Sequence, residues 1–521
     1  MGARIFGIMG RQTAPVVAAL LVVLVCAAPV ICFVGQASSG GVINSWRAGI
    51  ESGGAASLSR TMKLVVVVGC IGTTFGWLVG APLASRQGKG KVLALSMLAA
   101  MLICPPFLWA VGVQGWKGLV PFAWQGWFDG YSGHVIASSL VVGSMVALAC
   151  ASGMTWLTRS TMESTLVARG PLHLQRMLYR ESLQLAIGVG MLGALMVAGE
   201  AGTGQMMGWQ GVAGVIHSAF VTEHDFQKAA ARTLLLVVCI APLGLISALL
   251  VTRQVVTRSM PVNSMVGRPN PGIRVPLALV ALLPLAIGLT GLIRPLWTGN
   301  LYPVFRDAWI TLTESAVATI ELVVLTTLIV GGIALLLGSI VARRRWLWRV
   351  VLTMGLLLIA LPQSVYGLGW IMMKSQLPLQ VSLPGACEPA LVLAARWSLA
   401  ASHFAALAWR SVPSSAIESA RLNGLSWSRW SALLARPILL ERVLPVAFLV
   451  ALMCLGDASA VVMVQRPGWA TYATRLFSIM DNSPEKQVAA LCLVYIALPF
   501  CIAALWAVLR SIIPINLRRQ S

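Results

Sequence analysis

The sequence predicts an all-α polytopic membrane protein with about 12 transmembrane helices. Of its 521 residues, 58% are hydrophobic and only 10% are charged, whereas a water-soluble domain carries about a quarter charged residues. The apolar runs are long and unbroken rather than alternating, which favours helices over a transmembrane barrel. Many of these runs reach roughly 20 residues, the length that crosses the hydrocarbon core of a bilayer.

Twelve candidate spans follow from the apolar runs. The first run follows two arginines and is longer than a signal-peptide core, so we interpret it as a retained span, with a cleaved leader as the alternative. The first six spans are predicted near 13–35, 62–84, 92–114, 134–157, 183–200 and 232–252. The second six are predicted near 275–295, 317–341, 350–372, 388–409, 443–463 and 487–509.

The distribution of basic residues predicts the orientation. The net charge is +22, and the basic residues concentrate in alternate loops, as in the run Arg343, Arg344 and Arg345. With both termini cytoplasmic, roughly 25 basic residues lie inside and roughly 12 outside, as the positive-inside rule requires. Topology therefore accounts for the charge, and membrane lipid rather than nucleic acid is the expected surrounding.

The chain repeats itself at an offset of about 257 residues. The segment "CPPFLWAVGVQGW" (104–116) corresponds to "LPQSVYGLGWIMM" (361–373), and "AGEAGTGQMM" corresponds to "LGDASAVVMV". Glu200 and Asp457 then occupy equivalent positions. The sequence predicts two tandem six-helix repeats, residues 1–258 and 259–521, and such a parallel duplication allows a pathway between two bundles.

A polar segment between spans ten and eleven, "SVPSSAIESARLNGLSWSRWSALLARPILL", contains the most informative motif. Ser415 and Glu418 form a capping box that begins a helix, and Gly424 can end this helix in a left-handed conformation. Ile417, Ala420 and Gly424 share a face on which small residues allow close approach. The segment predicts a short docking helix, with an interfacial helix that has no partner as the alternative.

The equivalent segment of the first repeat is weaker. In "TRSTMESTLVARG" (158–170), Ser160 and Glu163 again form a capping box. Gly170 follows Glu163 by seven residues, where Gly424 follows Glu418 by six. No proline follows at the matching place. We therefore predict a degenerate first loop near 158–182.

The run "ESARLNG", with a proline 13 residues after its glycine, resembles the EAA loop of binding-protein-dependent ABC transporter permeases. Glu418, Ala420, Gly424 and Pro437 match the motif of that family, and Ser419 departs from it. The following "LCLGDASAVVMVQRPGWATYATRLFSIM" resembles the fused two-half permeases of the iron(III) and thiamine type.

This resemblance implies a type I ABC importer permease fold in a bacterial inner membrane. A permease of this kind moves a small solute from a periplasmic binding protein into the cytoplasm, using a separate ATP-binding subunit present in two copies. Iron(III) is the solute towards which the resemblance leans, with thiamine, polyamines, phosphonates and sulfate also open. The ATPase-coupling residues would be Ser415, Ile417, Glu418, Ala420, Gly424 and Pro437 in the second loop, and Glu163 and Gly170 in the first.

Two other functions remain open from the sequence. A 12-span secondary transporter driven by an ion gradient fits the layout, as does a non-transporting scaffold. The chain has no G-x-x-x-x-G-K-[ST] phosphate loop, no metal-ligand motif and no hydrolase motif. We therefore expect no catalytic residues, no metal and no cofactor in this chain, with ATP bound by the partner.

Three charged residues in or near the spans are candidates for the pathway, because ionisable groups are costly in a membrane. Arg396 lies about 10 Å into span ten, given the helical rise. It can meet an anionic or chelated solute, or reach the outer surface. Glu200 and Asp457 end spans five and eleven, where two carboxylates favour a cation or cap a turn.

Overall fold

In the computed structural model every regular element is a helix within the part of the chain that is described. That part comprises residues 2–39, 42–84, 89–153, 159–258, 274–297, 300–376, 383–410, 412, 415, 418–419, 422–426, 429, 446–447, 449–450, 452–453, 456–480 and 482–512. No strand occurs in these residues. The prediction of an all-helical protein is confirmed for them.

Nineteen α-helices can be bounded in the described residues. The first eleven are α1 Gly2–Ala37, α2 Val42–Gly49, α3 Ala55–Ala84, α4 Lys89–Ile103, α5 Pro106–Gly115, α6 Phe122–Gln125, α7 Gly130–Gly153, α8 Arg159–Ala198, α9 Gly202–Met206, α10 Val212–Val221 and α11 Phe226–Arg258. The remainder are α12 Arg274–Ile293, α13 Tyr302–Val341, α14 Arg345–Ala360, α15 Gln363–Gln376, α16 Cys387–Arg410, α17 Ala458–Val464, α18 Tyr472–Ile479 and α19 Glu485–Ile512.

The long apolar helices indicate a membrane-embedded protein. Among the residues that the structure describes, eight helices are long and apolar enough to cross a bilayer, and the number rises to ten if two bent pairs each count as one span. These ten coincide with ten of the twelve predicted spans. The predicted span 487–509 falls on α19, and much of the predicted span 443–463 lies outside the described residues.

Two predicted spans, 92–114 and 350–372, are not continuous helices as the sequence suggested. The chain bends by 101° between α4 and α5, and by 98° between α14 and α15. Pro105 and Pro106 stand at the first break and Pro362 at the second. Proline has no backbone N–H and clashes with the preceding turn, so a helix ends there.

Helix packing repeats at nearly the same offset as the sequence. Helix α3 packs against α7, and α13 packs against α16. Both contacts depend on glycine: a Cβ on Gly80 would lie 2.6 Å from the carbonyl oxygen of Ala147, and a Cβ on Gly338 would lie 2.5 Å from the Cβ of Ala405. Small residues therefore bring the backbones together, as is common in membrane helices.

The first helix of each predicted repeat packs against the other repeat. Helix α1 lies along α15, and α12 lies along α5. A Cβ on Gly369 would collide with the carbonyl oxygen of Pro29, and a Cβ on Gly112 would collide with that of Gly288. This exchange of first helices connects the two predicted repeats.

Candidate functional site

A cavity of about 540 Å³ lies between helices of the two predicted repeats. Side chains of α7, α8 and α11 line one side, and side chains of α14, α16 and residues 446–457 line the other. It follows α8 from Leu185 to Val197, which is roughly 18 Å at the helical rise, and reaches Glu200 just after the end of that helix. Its volume is in the range of small-molecule sites.

The two broken helix pairs meet at one end of this cavity. A Cβ on Gly199 would lie 2.7 Å from Cα of Pro362, and a Cβ on Gly456 would lie 3.4 Å from Cα of Pro105. The two contacts are equivalent, because Gly456 and Pro362 each follow their counterparts by 257 residues. We call this the polar end, defined by Glu200, Gln363, Arg396 and Asp457, all of which line the cavity.

Asp457 organises the polar end by accepting three hydrogen bonds. Arg396 Nη1 donates to Oδ2 at 2.7 Å, Trp397 Nε1 donates to the same oxygen at 3.0 Å, and Gln363 Nε2 donates to Oδ1 at 2.8 Å. Arg396 and Asp457 are buried, with exposed fractions of 2% and 5%. The carboxylate therefore connects the turn before α17 to α16 through an ion pair and a hydrogen bond, and to α15 through a second hydrogen bond.

Arg396 is held in place on several sides. Its Nη2 donates to the carbonyl oxygen of Ile359 at 3.0 Å, and its guanidinium lies 6.0 Å from the ring centre of Tyr366 and 5.4 Å from that of Trp397. The alternative in which Arg396 reaches the outer surface is wrong, because the buried Asp457 binds it. Its charge is already matched within the protein.

Glu200 occupies the equivalent position of the first repeat but has a different environment. Both of its carboxylate oxygens accept the backbone N–H of Thr203, at 2.9 and 3.2 Å. This local hydrogen bond is the capping role that the sequence left open. Within the described residues no lysine, arginine or histidine lies within ion-pair distance of Glu200.

The structure thus brings together the three pathway residues predicted from sequence. Gln363 and Trp397, which donate the other two hydrogen bonds to Asp457, were not predicted from the sequence. Gln363 carried a usable signal, since it is an uncharged polar residue directly after the proline of a predicted span. Trp397 carried none, because a tryptophan in an apolar helix is ordinary packing material.

Two exposed turns lie beyond the other end of the cavity. Gly424 has φ 63° and Gly170 has φ 78°, and no atom lies within 4 Å of the Cβ position of either. Gly424 therefore has the left-handed conformation expected at the end of a helix. Gly170 interrupts α8, so a short helix from Arg159 precedes the long one.

Large apolar side chains are exposed next to both glycines. Leu422 is 88% exposed and Val167 is 87% exposed. Ser415 and Glu418 are also exposed. The predicted coupling residues Ile417, Ala420 and Pro437, and the side chain of Glu163, lie outside the described residues.

Comparison with models of known protein families, with curated proteins and with solved structures finds no match for this chain. The described residues contain no group of three or more histidine, cysteine or acidic side chains arranged to hold a metal ion. His403 lines the cavity and accepts a hydrogen bond from Trp348 Nε1 at 3.0 Å. The site is therefore characterised by its cavity, its buried ion pair and its second carboxylate.

Proposed function

We propose that this chain is the membrane-spanning permease subunit of an importer that is energised by a separate ATPase. In this proposal the 12 spans form two six-helix repeats with both termini in the cytoplasm of a bacterium. The pathway is the cavity between the repeats. A periplasmic binding protein delivers the solute, and the chain itself binds no ATP and catalyses no reaction.

The observation that carries the proposal is the pair of exposed turns at Gly170 and Gly424. The preceding helices, α7 and α16, end at Gly153 and Arg410, and Gly153 and Leu407 line the cavity far from its polar end. Both turns therefore follow helices that end on the same side. Each turn has an exposed apolar residue and a left-handed glycine, and an exposed apolar residue is typical of a surface that binds another protein.

Helix α8 offers a mechanical connection from the first turn to the cavity. From the residue after Gly170 it continues to Ala198, roughly 42 Å at the helical rise, and Glu200 follows immediately. A partner that pulls the turns together would move α8 as a rigid element and change the cavity between the repeats. Such rocking of one bundle against another is the usual basis of alternating access.

The roles of individual residues follow from this arrangement. In the second predicted loop Ser415, Ile417, Glu418, Ala420, Gly424 and Pro437 would contact the ATPase, and in the first predicted loop Glu163 and Gly170 would do so. Arg396, Glu200 and Asp457 would form part of the pathway. Iron(III) remains one candidate solute, from the resemblance of the sequence alone.

Photocrosslinking in native membrane vesicles tests the coupling role. Single cysteines at Leu422→Cys and Val167→Cys, labelled with a thiol-reactive photocrosslinker, should trap an ATP-binding protein that mass spectrometry identifies. Phe122→Cys is a matched control, because Phe122 is 88% exposed but precedes α7 and so lies at the opposite membrane surface. The wild-type chain gives the background from its ten native cysteines.

Several outcomes would contradict the proposal. Capture of the same ATPase from Phe122→Cys would show that the docking surface lies on the opposite side of the membrane or is not specific to the two turns. If neither Leu422→Cys nor Val167→Cys captures an ATPase while uptake continues, the two turns are not the docking surface. If uptake then followed a proton or sodium gradient in vesicles without ATP, the secondary transporter would be the correct class.

A further inference from the structure

The polar end of the cavity, as far as it is described, has two carboxyl groups and one guanidinium group. Among the described residues that line the cavity, the acidic ones are Glu200 and Asp457 and the basic ones are Arg396 and His403, whose Nδ1 accepts a hydrogen bond from Trp348. Arg396 and Asp457 neutralise each other at 2.7 Å. The carboxyl group of Glu200 remains, and it accepts the backbone N–H of Thr203. An ionised carboxylate away from bulk water is costly unless a cation accompanies it.

The repeat explains why Glu200 lacks the partners that Asp457 has. The positions 257 residues before Arg396, Trp397 and Gln363 are Ser139, Leu140 and Pro106. None of these can supply a positive charge, and leucine and proline have no side-chain donor. The first repeat thus retains the acid but has lost the cation.

Two buried polar atoms of residues at the polar end also lack partners among the described residues. They are Oε1 of Gln363 and Nε of Arg396, whose side chains are 7% and 2% exposed. The backbone of Gln363 lies beside Gly199, the residue before Glu200, since a Cβ on Gly199 would be 3.6 Å from the Gln363 backbone nitrogen, and both Gln363 and Glu200 line the cavity. A buried acceptor without a donor costs free energy, so Oε1 of Gln363 is suited to an N–H or O–H group of a ligand.

The remaining wall is apolar and polarisable. Methionines 145, 196 and 453 line the cavity together with Trp397 and Phe404. Thioethers adapt to irregular apolar groups, and aromatic faces attract cations. A strongly hydrated inorganic ion would lose its water shell without replacement against such a wall, whereas an organic cation would bury its apolar part there.

We propose that the polar end binds an organic cation with a single positive charge and an apolar body. Glu200 is its counter-ion, and Oε1 of Gln363 is a further acceptor for an ammonium group. This assignment names the solute class of the proposed transport function and rests on that function for its biological meaning. The binding itself depends only on the cavity.

Direct binding to the purified chain tests the assignment. The protein in nanodiscs of zwitterionic lipid is titrated with benzylammonium, benzyl alcohol and phenylacetate, which share one ring and differ in charge, using isothermal calorimetry or ligand-detected NMR. We expect benzylammonium to bind best and phenylacetate worst. Glu200→Gln should lower the affinity for benzylammonium about tenfold or more and leave that for benzyl alcohol unchanged.

The substitution is chosen to preserve the fold. Glutamine retains an oxygen that can accept the Thr203 N–H, and an unchanged melting temperature would verify this. Glu223→Gln is the matched control, because Glu223 pairs with Lys228 and does not line the cavity. This control should bind benzylammonium like the wild type.

The assignment is overturned if phenylacetate binds better than benzylammonium, or if Glu200→Gln binds benzylammonium as tightly as the wild type does. A protonated Glu200 would give equal affinity for benzylammonium and benzyl alcohol, and that result also overturns it. So would tighter binding of ferric citrate than of benzylammonium. None of these measurements requires an ATPase, so crosslinking from the turns can fail while cation binding succeeds, or the reverse.

Discussion

Asp457 is the residue on which the polar end most depends. Its two oxygens accept hydrogen bonds from Arg396, Trp397 and Gln363, and these donors come from two different helices. Burial of two opposite charges costs desolvation that their attraction only offsets when further hydrogen bonds satisfy them. The extra donors from Trp397 and Gln363 meet that condition for the carboxylate.

Asp457→Asn should therefore be strongly destabilising. The change leaves the guanidinium of Arg396 buried without its counter-ion, and removal of one member of a buried pair costs about 3–5 kcal/mol. Reversible unfolding in mixed micelles measures the loss. The double variant Arg396→Met with Asp457→Leu should recover much of it, because it removes both charges and keeps apolar volume.

A surface ion pair provides the control for this experiment. Lys117 and Asp129 form an ion pair in which the side chains are 42% and 34% exposed. Asp129→Asn should cost about 1 kcal/mol or less, since exposed pairs contribute little. Equal losses from Asp457→Asn and Asp129→Asn would show that the buried pair is not a structural anchor.

The charged residues of the site were predictable from sequence, and their partners were not. Glu200, Arg396 and Asp457 stand out because ionisable residues are rare in apolar spans. Which of them pair is decided by helices that meet only in the folded molecule. The sequence offered an Arg396 that lines the pathway or one that reaches the outer surface; Arg396 lines the cavity, and its ion pair with Asp457 was not predicted.

At the scale of single elements, the two proline breaks decide the shape of the site. Helix α5 turns by 101° from α4, and α15 turns by 98° from α14, which places residues of both breaks against the cavity. The sequence showed the prolines and their repetition. Mean hydropathy over a window depends only on composition and contains no information on the direction of the backbone. Helices α4 and α5, and likewise α14 and α15, were therefore predicted as one straight span.

Gly424→Val tests the importance of a single helix end. A β-branched residue at φ 63° pays the penalty of the left-handed region, about 1–2 kcal/mol, and would reshape the turn that carries Leu422. We expect ATPase stimulation and uptake to be lost while the chain remains inserted and monodisperse. Both are measured in proteoliposomes with the captured ATPase.

Gly424→Asn is the companion variant. Asparagine tolerates the left-handed conformation, and no atom lies within 4 Å of the Cβ position, so the turn should persist. It should retain most of the stimulation unless the partner itself contacts that Cβ. Normal uptake by Gly424→Val would argue against any role of the turn in coupling.

At the scale of the whole molecule, the exchange of first helices is the dominant feature. Helix α1 packs along α15, and α12 packs along α5, each through a glycine contact. The repeated sequence indicated two similar bundles. It could not indicate that each bundle donates a helix to the other, because equivalent residues pack equally well within a repeat or across it.

This exchange predicts the behaviour of the separated halves. Fragments 1–258 and 259–521, expressed alone, should each lack a partner for one apolar helix face and should aggregate or be degraded. Coexpression should restore a 1:1 complex that elutes like the intact chain and resists protease similarly. A stable, monodisperse fragment on its own would show that the crossed contacts are dispensable.

The same crossed packing constrains how the protein is made. The ribosome delivers α1 first, but α15 begins only at Gln363, more than 300 residues later. At typical synthesis rates α1 waits in the lipid for roughly 15–65 s before its neighbour arrives. Helix α12, in contrast, finds α5 already inserted. The nascent chain must therefore keep α1 unassembled until α15 has been synthesised. In a product truncated before α15, α1 would have no helix to pack against.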